Sequence, residues 1–213
     1  MSTDVKALAD TATRLAGYAM AFGRIDRTAC LHPDLVTPES DSDHTVMLGW
    51  VAPAFAARYS PDLDEGLVAQ FALVHDAVEV FAGDTPTLRI DDNGRAAKAA
   101  REHAAVGRWD REFSDSLPWM PRMIWRYEQQ EEPEARFVRA LDKILPKFVH
   151  AHNRSADLLR FGMSADELEV TLSRQHTDME TYAGEFGALM DLHTEMAARV
   201  VGMLREQEAR AVA

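Results

Sequence analysis

"FALVHDAVEVFAGDTPT", residues 71–87, decides how the rest of the chain is read. Phe71, Ala72, Leu73 and Val74 open it as a core-forming apolar run, and His75, Asp76, Glu79 and Asp84 follow within ten positions. Buried His and Asp are costly unless they are paired or bind a metal. His with carboxylates is a ligand set suited to a divalent ion of the Mn, Fe, Co, Ni or Zn kind. Adjacent residues on a helix point about 100° apart. His75 and Asp76 therefore converge on one ion only if it lies in the groove beside their helix and other helices supply further ligands. The apolar spacing predicts one helix over 65–82, ended near Gly83.

The search for further ligands leads both ways along the chain. His44 stands in "SDSDHTVMLGW", at the start of a helix expected from Asp43 to Arg58, with Pro53 as a possible kink. Asp142 stands in "RFVRALDKILPKF", beside an apolar face made by Val138, Leu141, Leu145 and Phe148. Pro146, four residues later, deprives the Asp142 carbonyl of its helical donor. Taken singly, each has a bland explanation: a helix cap or surface group for the histidine, an arginine partner for the aspartate. Together in this order they form a set.

Helical spacing also marks 4–22, about 95–115, 120–129, 133–153, 165–183 and 187–209, with a mobile end expected beyond. Residues 23–43, holding Pro33 and Pro38, read as a long ordered loop. No strand pattern is visible. The expectation is a single all-α domain over residues 1–213.

The chain has 213 residues, 46% of them apolar, enough for a real core, and a formal net charge of −12. That charge argues against long nucleic acid and requires any phosphate to be met by local Arg or metal charge. The single cysteine, Cys30, rules out an internal disulfide and fits a reducing compartment. With no signal-peptide pattern and no apolar run of membrane length, a cytoplasmic protein is expected.

His44, then His75–Asp76, then Asp142 resembles the H…HD…D signature of the HD-domain metal-dependent phosphohydrolases. "HDAVEVFAGDTPT" looks like the "HDxxExxxGDxP" block of their 5'-deoxynucleotidase-like branch, and "ESDSDHT" resembles its approach to the first His. The resemblance covers about residues 10–150 as the family core and weakens over a C-terminal helical extension, 151–213. It implies a helical bundle in which His44, His75, Asp76 and Asp142 hold one divalent ion (Mn, Co, Fe, Ni, Mg or Zn). It implies a small nucleotide substrate and suggests, with the long C-terminal helices, a homodimer. Glu79 is expected as an acid/base or supporting carboxylate. Asp84, turned back by Gly83 and held by Thr85 and Pro86, either contacts the sugar or metal-bound water, or caps the next turn. Arg27, with Arg24 behind it, is the phosphate-binding choice, against a salt bridge to Asp26, Asp34 or Glu39. Lys143 and Lys147 stand in reserve for a longer phosphate chain.

The implied activity is a deoxynucleoside 5'-monophosphatase. The alternatives are a dNTP triphosphohydrolase or pyrophosphohydrolase, a non-catalytic HD scaffold, and oxidative chemistry at two irons. His150 and His152 face different ways and make a poor chelate, and His103, His176 and His193 read as surface. Trp109, Trp119 and Trp125 read as core or interface before lid, and Met190, Met196 and Met203 as core or dimer contacts.

Overall fold

A computed structural model describes residues 4–85 and 88–212. Pro86, expected to stiffen the loop after Asp84, lies outside the described residues. The elements run α1 (Val5–Phe22), β1 (Asp26–Leu31), β2 (Pro38–Ser40), α2 (Asp41–Tyr59), α3 (Glu65–Val74), α4 (Glu79–Ala82), α5 (Asp92–Phe113), α6 (Trp119–Gln129), α7 (Pro133–His152), α8 (Ala156–Arg160), α9 (Ala165–Ala183) and α10 (Gly187–Val212). The fold is all-α, as expected, apart from one small ribbon.

Its caps explain its boundaries. Asp4, Asp64, Asp91 and Ser164 each accept from backbone N–H groups in the first turn of the helix they precede. Ser40 and Asp43 close a capping box at the start of α2, two residues earlier than the spacing predicts. At the far end, α10 stays helical to Val212, past the limit of 209 read from the sequence.

Two hydrophobic cores result. The larger joins α2, α3, α5, α6 and α7 through residues such as Leu48, Phe71, Trp109, Phe113, Phe137 and Leu141. The smaller joins α8, α9 and α10 through Leu158, Leu168, Leu172, Val200 and Leu204. Trp109 belongs to the core; Trp119 and Trp125 are exposed.

Two expectations are corrected. Residues 23–43 contain an antiparallel ribbon, β1 paired with β2 from Asp26↔Ser40 to Leu31↔Pro38 with an irregularity between. Asp34 closes its turn by accepting from Val36 N, Thr37 N and Thr37 Oγ1. Strands this short and polar carry no legible alternation.

The predicted helix 65–82 is also broken. Nδ1 of His75 donates to the Ala72 carbonyl at 2.9 Å, and bonds to the third residue back take over, from Ala77 N to Val74 O and from Glu79 N to Asp76 O. Residues 75–78 form a turn between α3 and α4. Trp109 Nε1 donates to Ala77 O at 3.0 Å and holds that turn against α5.

Trp109→Phe removes the donor to a buried carbonyl. Urea denaturation of the metal-free protein is expected to show a loss of about 1–3 kcal/mol. An unchanged midpoint would mean that the bond to Ala77 holds nothing.

Candidate metal centre

Three separate segments meet at one point. The turn after α3 delivers His75 and Asp76, the second turn of α2 delivers His44, and the middle of α7 delivers Asp142. One ligand atom from each of the four lies within 4.8 Å of the others. His44, His75 and Asp142 are buried, and Asp76 is half-buried.

The tautomers are set from outside the cluster. His44 Nδ1 meets Glu39 Oε1 at 3.1 Å, which leaves Nε2 facing Asp142 Oδ1 at 2.8 Å. His75 commits Nδ1 to Ala72 O. Its Nε2 is buried with no hydrogen-bond partner among the described residues, although Asp76 Oδ2 lies only 2.9 Å away. Two lone-pair atoms at that separation, outside hydrogen-bond geometry, suit a shared cation. Backbone or carboxylate partners on the second ring nitrogen are the usual support of metal-binding histidines. The donor set therefore fits a divalent metal ion.

Arg27, on β1, enters the same place. Its Nη1 donates to Asp76 Oδ2 at 3.1 Å and to Asp41 Oδ1 at 3.4 Å, and its Nε lies 3.6 Å from Glu39 Oε1. The salt bridge weighed from the sequence thus exists with Glu39, and Arg27 still faces the cluster. Arg24 is exposed and does not line this cleft. Asp84 is half-buried and lines it beside Arg27, Asp76, Glu79 and Asp142. Gly83, at φ 73°, makes that return.

Glu79 is buried and paired with Lys98 of α5 at 3.1 Å; its other oxygen has no partner among the described residues. Burial and the neighbouring Asp76 charge push its carboxyl up to about 10, against the pull of Lys98. Burial would lower the His44 pKa, but its hydrogen bonds to Asp142 and Glu39 raise it to about 9. Burial and Asp76 push Asp41 up to about 6. Asp142 resists its own burial and stays well below the usual carboxylate range, held by Lys143 and His44.

Sequence reasoning missed Asp41 and Lys98, and saw Glu39 only as a salt-bridge partner for Arg27, not as the support of His44. The two acids sit on a ribbon and in a helix's first turn, where acidic residues ordinarily serve as caps. Lys98 lies on a charged helix, α5, whose spacing does not single it out. His193, read as surface, is buried, as is Lys147. His103 is exposed, as read.

The family model that matches is described as an HD domain and covers residues 24–183. The chain belongs to that family. The match extends past residue 150, where the sequence resemblance weakens. Among curated proteins, a 5'-deoxynucleotidase of Vibrio parahaemolyticus is 27% identical over 168 residues, covering 74% of this chain and 84% of that protein. A 5'-deoxynucleotidase of Xenopus laevis is 26% identical over 187 residues, covering 87% and 82%. The crystal structure of a predicted metal-dependent phosphohydrolase from Magnetospirillum magnetotacticum shares the fold. Its TM-score is 0.70 at 24% identity, over 96% of this chain and 99% of that one.

Glu79 supplies a pH test. Its folded-state pKa, about 10, lies above the 4.5 of a free carboxyl. The unfolded chain therefore loses this proton first, and stability falls as pH rises between those values. Glu79→Gln cannot ionise. In chelator-treated protein its thermal midpoint is expected to gain on wild type as pH goes from about 5 to 9. A constant gap would show that Glu79 ionises normally.

Proposed function

We propose that the chain is a metal-dependent 5'-deoxynucleotidase that releases orthophosphate from a deoxynucleoside 5'-monophosphate. The observation that carries this reading is the convergence of His44, His75, Asp76 and Asp142 within 4.8 Å, with the Arg27 guanidinium 3.1 Å from Asp76 in the same cleft. The names of the relatives support the substrate class.

His44, His75, Asp76 and Asp142 would hold one divalent ion, which supplies Lewis-acid polarisation of a phosphate oxygen and acidifies water. Arg27 offers the phosphate a planar pair of donors. It exchanges part of its contact with Asp41 and Asp76 for the substrate. Glu79, buried and protonated in the metal-free state, donates or accepts a proton beside the phosphate. Asp84, which lines the same cleft, meets the sugar.

The names of the relatives favour a monophosphate over a longer phosphate chain. Lys143 Nζ is tied to Asp142 Oδ2 at 2.6 Å, and Lys147 Nζ to Lys143 O and Gln175 Oε1. Both reserve cations are engaged before substrate arrives. Assembly as a homodimer belongs to the same reading. Val46 and Trp50, one turn apart on α2, are 52% and 77% exposed and form an apolar stripe that a second copy would cover. Among the described residues no helix is long and apolar enough to cross a membrane.

Two variants separate the roles. Asp76→Ala is expected to lose bound metal and activity together. Glu79→Gln is expected to keep its metal while phosphate release falls about 10²–10⁴-fold. Metal analysis alongside phosphate release from a dNMP and dNTP panel, with ³¹P NMR of products, reads both. Loss of metal from Glu79→Gln would make Glu79 a ligand, and dNTP loss with intact dNMPs would replace the monophosphatase reading.

A further inference from the structure

The cleft does not end at the metal ligands. From Asp142 it continues along α7 to His150, eight residues and about 12 Å of helix further. Phe161, Leu168, Leu172 and Val200 line this inner part. Three polar side chains break that apolar wall: Lys147, His150 and Gln175. None of the three belongs to the metal cluster or contacts Arg27.

Their hydrogen bonds leave specific atoms free. Lys147 Nζ donates to Lys143 O at 2.7 Å and to Gln175 Oε1 at 2.6 Å. His193 Nε2 meets the same Gln175 oxygen at 3.1 Å. Burial and the Lys143 charge lower the Lys147 pKa to about 7; charged or neutral, its N–H groups donate to Lys143 O and Gln175 Oε1, with the oxygen of the Gln175 amide toward Lys147. The Gln175 amide nitrogen has no hydrogen-bond partner among the described residues.

His150 is oriented in the same way. Its Nδ1 meets Asp157 Oδ2 at 2.8 Å. That carboxylate also accepts from Asn153 Nδ2 at 3.2 Å and from Leu158 N at 3.0 Å. A carboxylate accepting three bonds requires the ring proton on Nδ1. Nε2 is then a bare acceptor with no partner among the described residues. Asn153 also donates to Leu31 O at 2.7 Å, which ties this end of α7 to β1, the strand that carries Arg27.

The inner cleft is thus lined, between apolar walls, by one side chain with a spare amide donor and one with a spare ring-nitrogen acceptor, further along α7 than the phosphate end. We propose that it is the base subsite and that Gln175 and His150 select a base with a carbonyl next to a ring N–H, as in uracil, thymine and guanine. Cytosine and adenine place an amino group and a bare ring nitrogen there. The amino group faces the Gln175 donor, and the ring lone pair faces the His150 lone pair. Sites built to hydrogen-bond a substrate group reject analogues that lack it, because buried polar groups are left unpaired. The inference rests on the nucleotidase reading above.

dUMP and dCMP are near-isosteric and differ at this edge. The test measures kcat/KM for each with the manganese-loaded protein, and Kd for each with manganese-loaded Glu79→Gln. A preference for dUMP of about tenfold or more is expected in both, and Gln175→Leu is expected to lower that ratio by about threefold or more while His150 keeps the remainder. Equal hydrolysis of the two nucleotides overturns the base subsite and leaves the nucleotidase reading standing, as does an unchanged ratio in folded Gln175→Leu. Tighter dUMP binding without hydrolysis of either sustains the subsite and removes the nucleotidase reading. Absence of both binding and hydrolysis removes both. The wild-type ratio decides the matter even if Gln175→Leu does not fold.

Discussion

The Ala72 carbonyl is wanted by two donors: the backbone N–H of Asp76, which an unbroken helix would aim at it, and the ring of His75. The ring takes it, at 2.9 Å. Three consequences follow from that exchange. The helix ends at Val74, and the next four residues turn. His75 keeps its proton on Nδ1 and presents Nε2 as a lone pair. Asp76 swings beside that lone pair, with its Oδ2 2.9 Å away, while Trp109 fastens the turn through Ala77 O. The other two ligands arrive on helices that run on through them, α2 and α7, and Glu39 holds His44 as Ala72 holds His75.

The electrostatic balance around this turn explains its chemistry. Glu39, Asp41, Asp76, Glu79 and Asp142 crowd one place, against Arg27, Lys98 and Lys143. The excess of acid is relieved by keeping protons on Glu79 and His44, whose pKa values rise to about 10 and about 9. A divalent cation would relieve it more directly, displacing the His44 proton since only the neutral ring ligates. Metal and proton therefore compete for the same cluster. Arg27 is poised between them, held by the acids until a phosphate offers better partners.

Much of this was legible in the sequence, for a physical reason. His75, Asp76 and Asp142 stand out because they interrupt apolar faces, and charges are rarely tolerated there without a purpose. The helices were legible because a core-facing stripe repeats every 3.6 residues. The β1–β2 ribbon was not, since it is short, polar and irregular in register. Nor was the break at 75–78, because a side chain competing for one backbone carbonyl leaves no periodic trace. Glu39 read only as a salt-bridge partner for Arg27, nothing in the spacing marked Asp41 or Lys98, and His150 looked like a failed chelator. Each gains its role from a residue far away in the chain: Lys98 from Glu79, His150 from the shape of a cleft closed by α9 and α10.

The central claim is that two histidines and two aspartates, aligned by Ala72 and Glu39, bind one cation. Anomalous diffraction from crystals of the zinc-loaded protein tests it most directly. One peak per chain is predicted, about 2.0–2.2 Å from Nε2 of His44 and His75 and from carboxylate oxygens of Asp76 and Asp142. A peak held instead by Asp41, Asp76 and Glu79, the other such cluster among the described residues, would contradict the account.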